Sequence, residues 1–162
     1  MKKLGVYAGS FDPPTLGHLW MIQRGAELFD ELLVVLAVNP EKRGFLTMAQ
    51  RTELLRELAA ELPNVRVACL TAGFLVDWAK EQGATHLLRG IRHTADMEYE
   101  RAMAQMNARM EPALQSVFLL PPSELEAVSS SLVRGFVGQE GGERWVNACV
   151  PPCVAELLKA KN

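Results

Sequence analysis

The sequence contains no apolar run that approaches the roughly 20 residues of a membrane-spanning helix, so no contact with a membrane is expected. Its formal net charge is -2, which excludes the broad positive field typical of nucleic-acid-binding proteins. The three tryptophans do not alternate with basic residues, so nothing favours stacking on a single strand of nucleic acid. Positive charge that binds a phosphate must therefore be concentrated locally.

Cysteine is also scarce. Cys69, Cys149 and Cys153 are an odd number and match no metal-site spacing. Cys69 lies in an apolar run and is predicted to be in the core, whereas the other two flank a proline pair and are predicted to be free thiols in a reducing compartment. The start of the chain leads into an apolar run of about five residues, shorter than the apolar region of about 7–15 residues in a signal peptide. We therefore expect a cytoplasmic protein with one domain over residues 1–162.

What the sequence does contain is a regular alternation of strand and helix patterns. Apolar runs predict strands at residues 4–8, 32–38, 65–70, 85–88 and 116–120. Amphipathic patterns predict helices at 16–29, 47–62, 74–82 and 94–110, with two more starting at Ser129 and Pro151 and a surface loop at 140–143. This alternation predicts an α/β fold with a doubly wound five-stranded parallel sheet. Such sheets bind ligands beyond the carboxyl ends of their strands.

Residues 9–18 join the first predicted strand to the first predicted helix. Gly9 and Gly17 would let a ligand approach the backbone, and the helix N-terminus favours a phosphate. Ser10 and His18 lie on the same stretch, which favours a nucleotide site over the alternative of an ordinary loop with a surface histidine.

Polar residues also follow the other predicted strands at the same edge of the sheet. Lys42 follows the second strand, Arg89 and Arg92 follow the fourth, and the serines of 128–131 follow the fifth. Taken singly, the arginines could be surface ion-pair partners and the serines a helix cap. Together they predict a ring of phosphate ligands around one crevice. No Cys-His or Ser-His-Asp arrangement that would supply a nucleophile is visible.

These residues carry a resemblance to a known family. Thr15-Leu16-Gly17-His18 resembles the TxGH-type signature of nucleotidyltransferases, and residues 128–131 resemble their second motif. Residues 9–14 are almost as similar to nicotinate-nucleotide adenylyltransferases. The block 88–92, with 95–100 and 106–107, resembles bacterial phosphopantetheine adenylyltransferases specifically, and this likeness covers essentially the whole chain.

The resemblance implies a Rossmann-like nucleotidyltransferase fold that transfers the adenylyl group of ATP to 4′-phosphopantetheine. The expected products are 3′-dephospho-coenzyme A and pyrophosphate, formed by in-line attack without a covalent enzyme intermediate. Mg²⁺ is expected on the triphosphate, with no protein ligands. A homohexamer and feedback inhibition by coenzyme A are also implied. Two alternatives stay open, namely a pyridine mononucleotide as acceptor and a nucleotide sensor without turnover.

The same resemblance assigns roles to individual residues. The catalytic group is His18, Lys42, Ser10 and Arg92, with His18 stabilising the transition state and Lys42 bridging the acceptor phosphate and the α-phosphate. Ser10 stands where the family most often has threonine. Acceptor binding falls to Ser10, Lys42, Leu75 and Arg89. The residues expected to bind ATP are Ser10, Phe11, Gly17, His18, Gly90, Ile91, Arg92, Glu100, Leu125, Glu126, Ala127, Val128, Ser129, Ser130 and Ser131.

The remaining histidines and one apolar stripe are assigned elsewhere. His86 is predicted to be structural, and His93 to lie at the rim of the site or in solvent. A stripe at helical spacing is predicted to be core or a subunit contact rather than a cofactor site. It consists of Tyr99, Met103, Met106 and Met110.

Overall fold

The computed structural model describes residues 2–38, 41 and 43–160. Five parallel strands form one sheet in the order β3-β2-β1-β4-β5. The strands are β1 Leu4–Gly9, β2 Glu31–Ala37, β3 Val65–Leu70, β4 His86–Gly90 and β5 Gln115–Leu119. The predicted doubly wound parallel sheet is confirmed.

Helices cover both faces of this sheet. They are α1 Leu16–Leu28, α2 Met48–Ala59, α3 Leu75–Glu81, α4 Thr94–Met110, α5 Ser130–Phe136, α6 Glu143–Cys149 and α7 Pro152–Lys159. A 3-10 turn, Ser123–Leu125, precedes α5. In the part of the chain that the structure describes, no helix is long and apolar enough to cross a membrane.

Three apolar clusters hold these layers together. Ile22 of α1 and Leu55 of α2 pack with the core on one face of the sheet. Val76 of α3 packs with the core on the other face. A third cluster joins Leu54 of α2 to α5, α6 and α7, so the C-terminal helices pack outside α2 rather than on the sheet. Helix α2 therefore lies between the sheet and the C-terminal helices.

Local sequence explains where the first two long helices begin. Thr15 caps α1 and Thr47 caps α2, and each forms a capping box with the residue three positions later, which is His18 in α1 and Gln50 in α2. The box around Gln50 was predicted. That His18 completes the box of α1 was not.

The structure corrects several expectations about this fold. Cys69 is exposed rather than in the core, because β3 is an edge strand that pairs only with β2 among the described strands. Arg89 and Gly90 belong to β4, where they pair with β5, instead of following the strand. Glu143 begins α6 although residues 140–143 were predicted to be a loop, and α6 itself was missed.

The apolar stripe of α4 is not core. Its four side chains are all exposed, with Tyr99 61% exposed and Met106 52% exposed. The prediction that the stripe is core is therefore wrong for the single chain. The alternative, a subunit contact, stays a prediction.

The strand order places the switch point between β1 and β4. The chain moves outward from β1 through β2 to β3, then returns to place β4 on the other side of β1. The connections leaving the carboxyl ends of β1 and β4 therefore diverge and leave a crevice between them.

Candidate active site

A cavity of about 400 Å³ opens at the carboxyl ends of β1 and β4. It brings together most of the residues singled out from the sequence, from five separate segments of the chain. They are Ser10, Gly17, His18, Arg89, Gly90, Arg92, Glu100, Leu125, Val128, Ser129, Ser130 and Ser131. These residues therefore line one crevice at this edge of the sheet, and their role as phosphate ligands stays a prediction.

Five predicted site residues lie elsewhere, and a sixth falls outside the described part of the chain. Phe11 and Ile91 are buried behind the crevice, and Glu126 and Ala127 are exposed in the turn before α5. Leu75 lines a neighbouring cavity. Lys42 lies outside the described residues.

The two nitrogens of the His18 ring have different functions. The backbone N–H of Thr15 donates to Nδ1 at 2.9 Å. Because an amide can only donate, Nδ1 carries no proton and the neutral ring must be protonated at Nε2. The ring also packs edge-on against Phe11, with 5.0 Å between centroids. His18 thus lines the crevice as a fixed hydrogen-bond donor.

Burial lowers the pKa of His18 from 6.5 to about 4, and the nearby positive charge of Arg92 adds to this effect. The imidazole is therefore neutral at physiological pH. In this neutral form it can donate a hydrogen bond to an anionic oxygen.

Arg89 and Glu100 form a two-pronged ion pair across the crevice wall. Nε and Nη2 of Arg89 donate to the two carboxylate oxygens of Glu100 at 2.8 and 2.6 Å, and Nη1 donates to the Ala8 carbonyl at 3.3 Å. Hydrogen bonding to Glu100 raises the pKa of Arg89. Arg89 is therefore paired, but with a buried carboxylate rather than at the surface, and Glu100 orients its guanidinium. The role of Arg89 as a phosphate ligand stays a prediction.

Arg92 is held in a similar way by Asp96 in the first turn of α4. Its backbone N–H and its Nε both donate to Oδ2 of Asp96, at 3.1 and 3.2 Å. The interaction is one-pronged, so the other guanidinium nitrogens remain able to meet a ligand in the crevice.

The three serines at the start of α5 are not equivalent. Ser129 caps the helix by accepting from the Leu132 N–H at 3.1 Å. Ser130 donates its proton to the Pro13 carbonyl at 2.8 Å. Ser131 accepts from Nη2 of Arg134 at 3.1 Å. Ser129 and Ser131 therefore keep their hydroxyl protons for an anion, whereas Ser130 has already used its proton.

Several contacts that brace the first loop were not predicted from the sequence. The Asp12 carboxylate accepts from the N–H groups of Phe45 and Leu46, both at 2.7 Å. Arg134 donates to the Asp12 carbonyl at 2.7 Å, and Arg51 donates to the Ser10 carbonyl at 2.9 Å. The sequence offered one signal for these contacts. Arg51 lies three and four positions before the buried Leu54 and Leu55, so helical spacing places this charged residue on the buried face of α2.

A second cavity of about 340 Å³ adjoins the crevice and shares Arg89 and Glu100 with it. Its other walls are mainly apolar and come from α3 and its preceding residue, β4, and the stripe of α4. They include Phe74, Leu75, Val76, Leu87, Tyr99, Met103, Met106, Asn107 and Met110.

Comparison with known proteins places this geometry in a family. The Cytidylyltransferase-like family model matches residues 6–136. A phosphopantetheine adenylyltransferase from Neisseria meningitidis serogroup C (strain 053442) is 46% identical over 157 residues, which cover 97% of this chain and 92% of the relative. One from Streptococcus equi subsp. zooepidemicus (strain H70) is 42% identical over 99% of this chain and 95% of the relative. The chain belongs to the phosphopantetheine adenylyltransferase family.

The fold of this phosphopantetheine adenylyltransferase family member is similar to that of a solved structure. It is the nicotinic acid mononucleotide adenylyltransferase of Plasmodium falciparum complexed with NaAD, with a TM-score of 0.72 over 100% of this chain and 97% of that one. The two chains share 15% identity, so the likeness concerns the Rossmann-like architecture alone.

Proposed function

We propose that this protein transfers the adenylyl group of ATP to 4′-phosphopantetheine, releasing pyrophosphate and forming 3′-dephospho-coenzyme A. The observation that carries the proposal is a neutral His18, held as an Nε2–H donor in a crevice that adjoins an apolar cavity. The names of the relatives support the same reaction.

ATP would occupy the crevice. The N-terminus of α1 and the serine-rich start of α5 both face it, and such termini favour anions. Hydroxyl protons of Ser129 and Ser131, the Arg92 guanidinium and the Ser10 hydroxyl would bind phosphate oxygens. Of the two buried residues assigned to ATP by resemblance, Phe11 would act by supporting the His18 ring.

The acceptor would lie across the two cavities. Arg89 stands in the wall they share, where it can meet the 4′-phosphate while remaining paired with Glu100. The pantetheine arm is a long, uncharged chain, which suits the walls formed by Leu75, Met103 and Met106. The side chain of Asn107 adds amide donors and an acceptor for the amides of the arm.

An oxygen of the 4′-phosphate would attack the α-phosphorus in line, and the bond to the bridging oxygen of pyrophosphate would break. The enzyme supplies no nucleophile, so catalysis consists of positioning and stabilisation of charge on the crowded phosphorus. His18 would donate a hydrogen bond from Nε2 to an α-phosphate oxygen. Lys42 and Arg92 would add positive charge there by resemblance to the family.

Magnesium would be bound mainly by the triphosphate and water. The carboxylates that face the crevice, Asp96 and Glu100, are already held by arginines. The described residues contain no cluster of three or more histidine, cysteine or acidic side chains that could hold a metal. Bound Mg²⁺ would neutralise phosphate charge, and we assign it no protein ligand.

Three further features are proposed with this function. Coenzyme A contains both an adenylyl and a pantetheine part, so it would span both cavities as a feedback inhibitor. The exposed stripe of α4 is a candidate contact in a homohexamer. The cytoplasm, where free thiols persist, is the proposed compartment.

The decisive experiment measures pyrophosphate release from ATP and Mg²⁺ with 4′-phosphopantetheine or nicotinate mononucleotide as acceptor. Release with phosphopantetheine alone is expected. The variant His18→Ala should lose about 10²-fold or more in kcat, the scale for one transition-state donor. His86→Gln, at the amino end of β4 and away from the crevice, is the matched control.

The other outcomes would change either the proposed function or the role of His18. Release with the pyridine nucleotide alone would replace the acceptor. ATP binding without release from either acceptor would favour the nucleotide sensor. Turnover of His18→Ala close to that of the wild type would contradict the role of the ring.

A further inference from the structure

Arg51 is a charged side chain in a position where the fold calls for an apolar one. It lies on the buried face of α2, is 6% exposed, and precedes the core residues Leu54 and Leu55 by three and four positions. Within the described part of the chain, the hydrogen-bond acceptors of its guanidinium are two backbone carbonyls. Nη1 donates to Ser10 at 2.9 Å, and Nε makes a longer contact of 3.5 Å with Thr47.

A buried cation whose acceptors among the described residues are backbone carbonyls is a poor way to stabilise a helix. Its desolvation is costly, and an apolar side chain of similar volume is often as stable or more stable at such a position. Stability of α2 therefore does not account for Arg51. The contact of Arg51 with Ser10, which lies 41 residues away in the chain, accounts for its position.

The Ser10 carbonyl belongs to the peptide group on which the active-site geometry depends. Ser10 lines the crevice on one side of this peptide. Phe11 follows it with a φ of 45°, a left-handed conformation that is unfavourable for a bulky residue. The ring of Phe11 in turn packs against His18. A shift of this peptide would therefore move the Ser10 hydroxyl and the surface that supports the His18 ring.

The surroundings of Arg51 keep its guanidinium in place. A Cβ atom built on Gly44 would come within 2.8 Å of Nη2 and within 3.2 Å of Oδ2 of Asp12. Only glycine leaves that space free. The Asp12 carboxylate also accepts from Phe45 and Leu46, which ties the first loop to the segment that leads into α2.

We infer that Arg51 is a positioning residue for adenylyl transfer, acting through its hydrogen bond to the Ser10 carbonyl. It holds the Ser10–Phe11 peptide in the conformation that presents the Ser10 hydroxyl and supports His18. The inference rests on the proposed function for its kinetic readout, and on ATP binding for an independent one.

The test compares Arg51→Met, which keeps an unbranched aliphatic stem of similar girth but is shorter and removes every donor, with Arg51→Lys, which keeps the charge and one donor group. We expect Arg51→Met to lower kcat by about 10- to 100-fold, since misplacing a reacting group by about 1 Å can cost 10²-fold. The KM for phosphopantetheine should change much less. Arg51→Lys should recover part of the lost kcat.

A double-mutant cycle with Ser10→Ala tests the route of the effect. If Arg51 acts through Ser10, the double variant should lose less kcat than the product of the two single losses. Fully independent effects would overturn the inference. So would a folded Arg51→Met with kcat within about threefold of the wild type, a small fraction of the 10²-fold that such misplacement can cost.

Loss of stability is separated from loss of positioning by Leu54→Ala on the same helix. This variant opens a core cavity in the C-terminal cluster and leaves the Ser10 contact intact. Its kcat per folded molecule should match the wild type at a temperature well below both unfolding midpoints. If Leu54→Ala loses as much kcat as Arg51→Met, the effect is general destabilisation and the inference is wrong.

Calorimetric titration with ATP and Mg²⁺, without acceptor, tests the positioning role of Arg51 separately from the proposed function. The Kd for ATP should rise about tenfold in Arg51→Met, the scale of one misaligned hydrogen bond to a charged group, and not in Leu54→Ala. Wild-type protein that binds ATP but does not use phosphopantetheine would contradict the proposed function, while the two Kd values would still decide the role of Arg51. An unchanged Kd in Arg51→Met would overturn that role.

Discussion

The imidazole of His18 shows how one residue can belong to both the fold and the chemistry. Its Nδ1 completes the capping box of α1, and its Nε2 is the donor available in the crevice. Because the cap fixes the tautomer, no proton has to be rearranged when the substrate binds. The low pKa of about 4 keeps the ring neutral over the physiological range.

This pKa predicts how stability depends on pH. The unfolded chain binds a proton at His18 below about pH 6.5, whereas the folded chain binds it only below about pH 4. The free energy of unfolding should therefore fall as the pH is lowered through this window, by up to about 1.4 kcal/mol per pH unit from this group.

Urea unfolding of the wild type and His18→Ala at pH 8, 6 and 5 measures this contribution. The carboxylates contribute to the pH dependence of both proteins, whereas His18 contributes only to that of the wild type. The wild type should therefore lose stability more steeply than the variant as the pH falls. Parallel pH profiles would show that His18 is not held neutral by the fold.

At the scale of the element, α5 depends on its cap. The helix has seven residues, too few to be stable by propensity, and the Ser129 hydroxyl satisfies the Leu132 N–H at its start. We expect Ser129→Ala to lower the free energy of unfolding by about 1 kcal/mol. Ser131→Ala, an identical change at an exposed position of the same helix, should cost less than about 0.5 kcal/mol.

Equilibrium unfolding in urea gives both values. If the two variants are equally destabilised, the cap does not hold the start of α5. In that case the resemblance to the second motif would have to be explained by ligand binding alone.

Elements with strong local signals were predictable from the sequence. The predicted strand 32–38 matches β2 to within one residue at each end, and the predicted helix 94–110 has the same bounds as α4. Helix α6 was missed because a glycine pair precedes a segment of only seven residues. The end of β4 was misplaced because Arg89 is charged and Gly90 has low strand propensity, whereas pairing with β5 places both in the sheet.

Relations across the whole molecule could not be read from the sequence. The position of β3 at the edge, which exposes Cys69, depends on strand order. The contact of Arg51 with Ser10 joins residues 41 positions apart, and the fork of Arg89 onto Glu100 requires β4 and α4 to be packed together. Local patterns thus located the crevice, whereas the braces around it follow only from tertiary structure.

The exposed stripe of α4 leads to a prediction for the assembled protein. Tyr99, Met103, Met106 and Met110 lie on one flank of the helix and, together with Phe74, leave an apolar wall exposed in the single chain. Contiguous apolar surface of this kind marks a binding or assembly site. Burying part of it between subunits would stabilise an oligomer, at about 25 cal/mol for each Å² removed from water.

Light scattering coupled to size exclusion should give a mass close to six times the 17.9 kDa of the chain. Met106→Glu should lower that mass while leaving the helical circular dichroism unchanged, since an exposed charge can be solvated in the monomer but not in an apolar contact. Ala108→Glu, on the opposite flank of the same helix, should assemble as the wild type does. A monomeric wild type would mean that the second cavity alone accounts for this apolar wall. Assembly retained in Met106→Glu would move the subunit contact to another face.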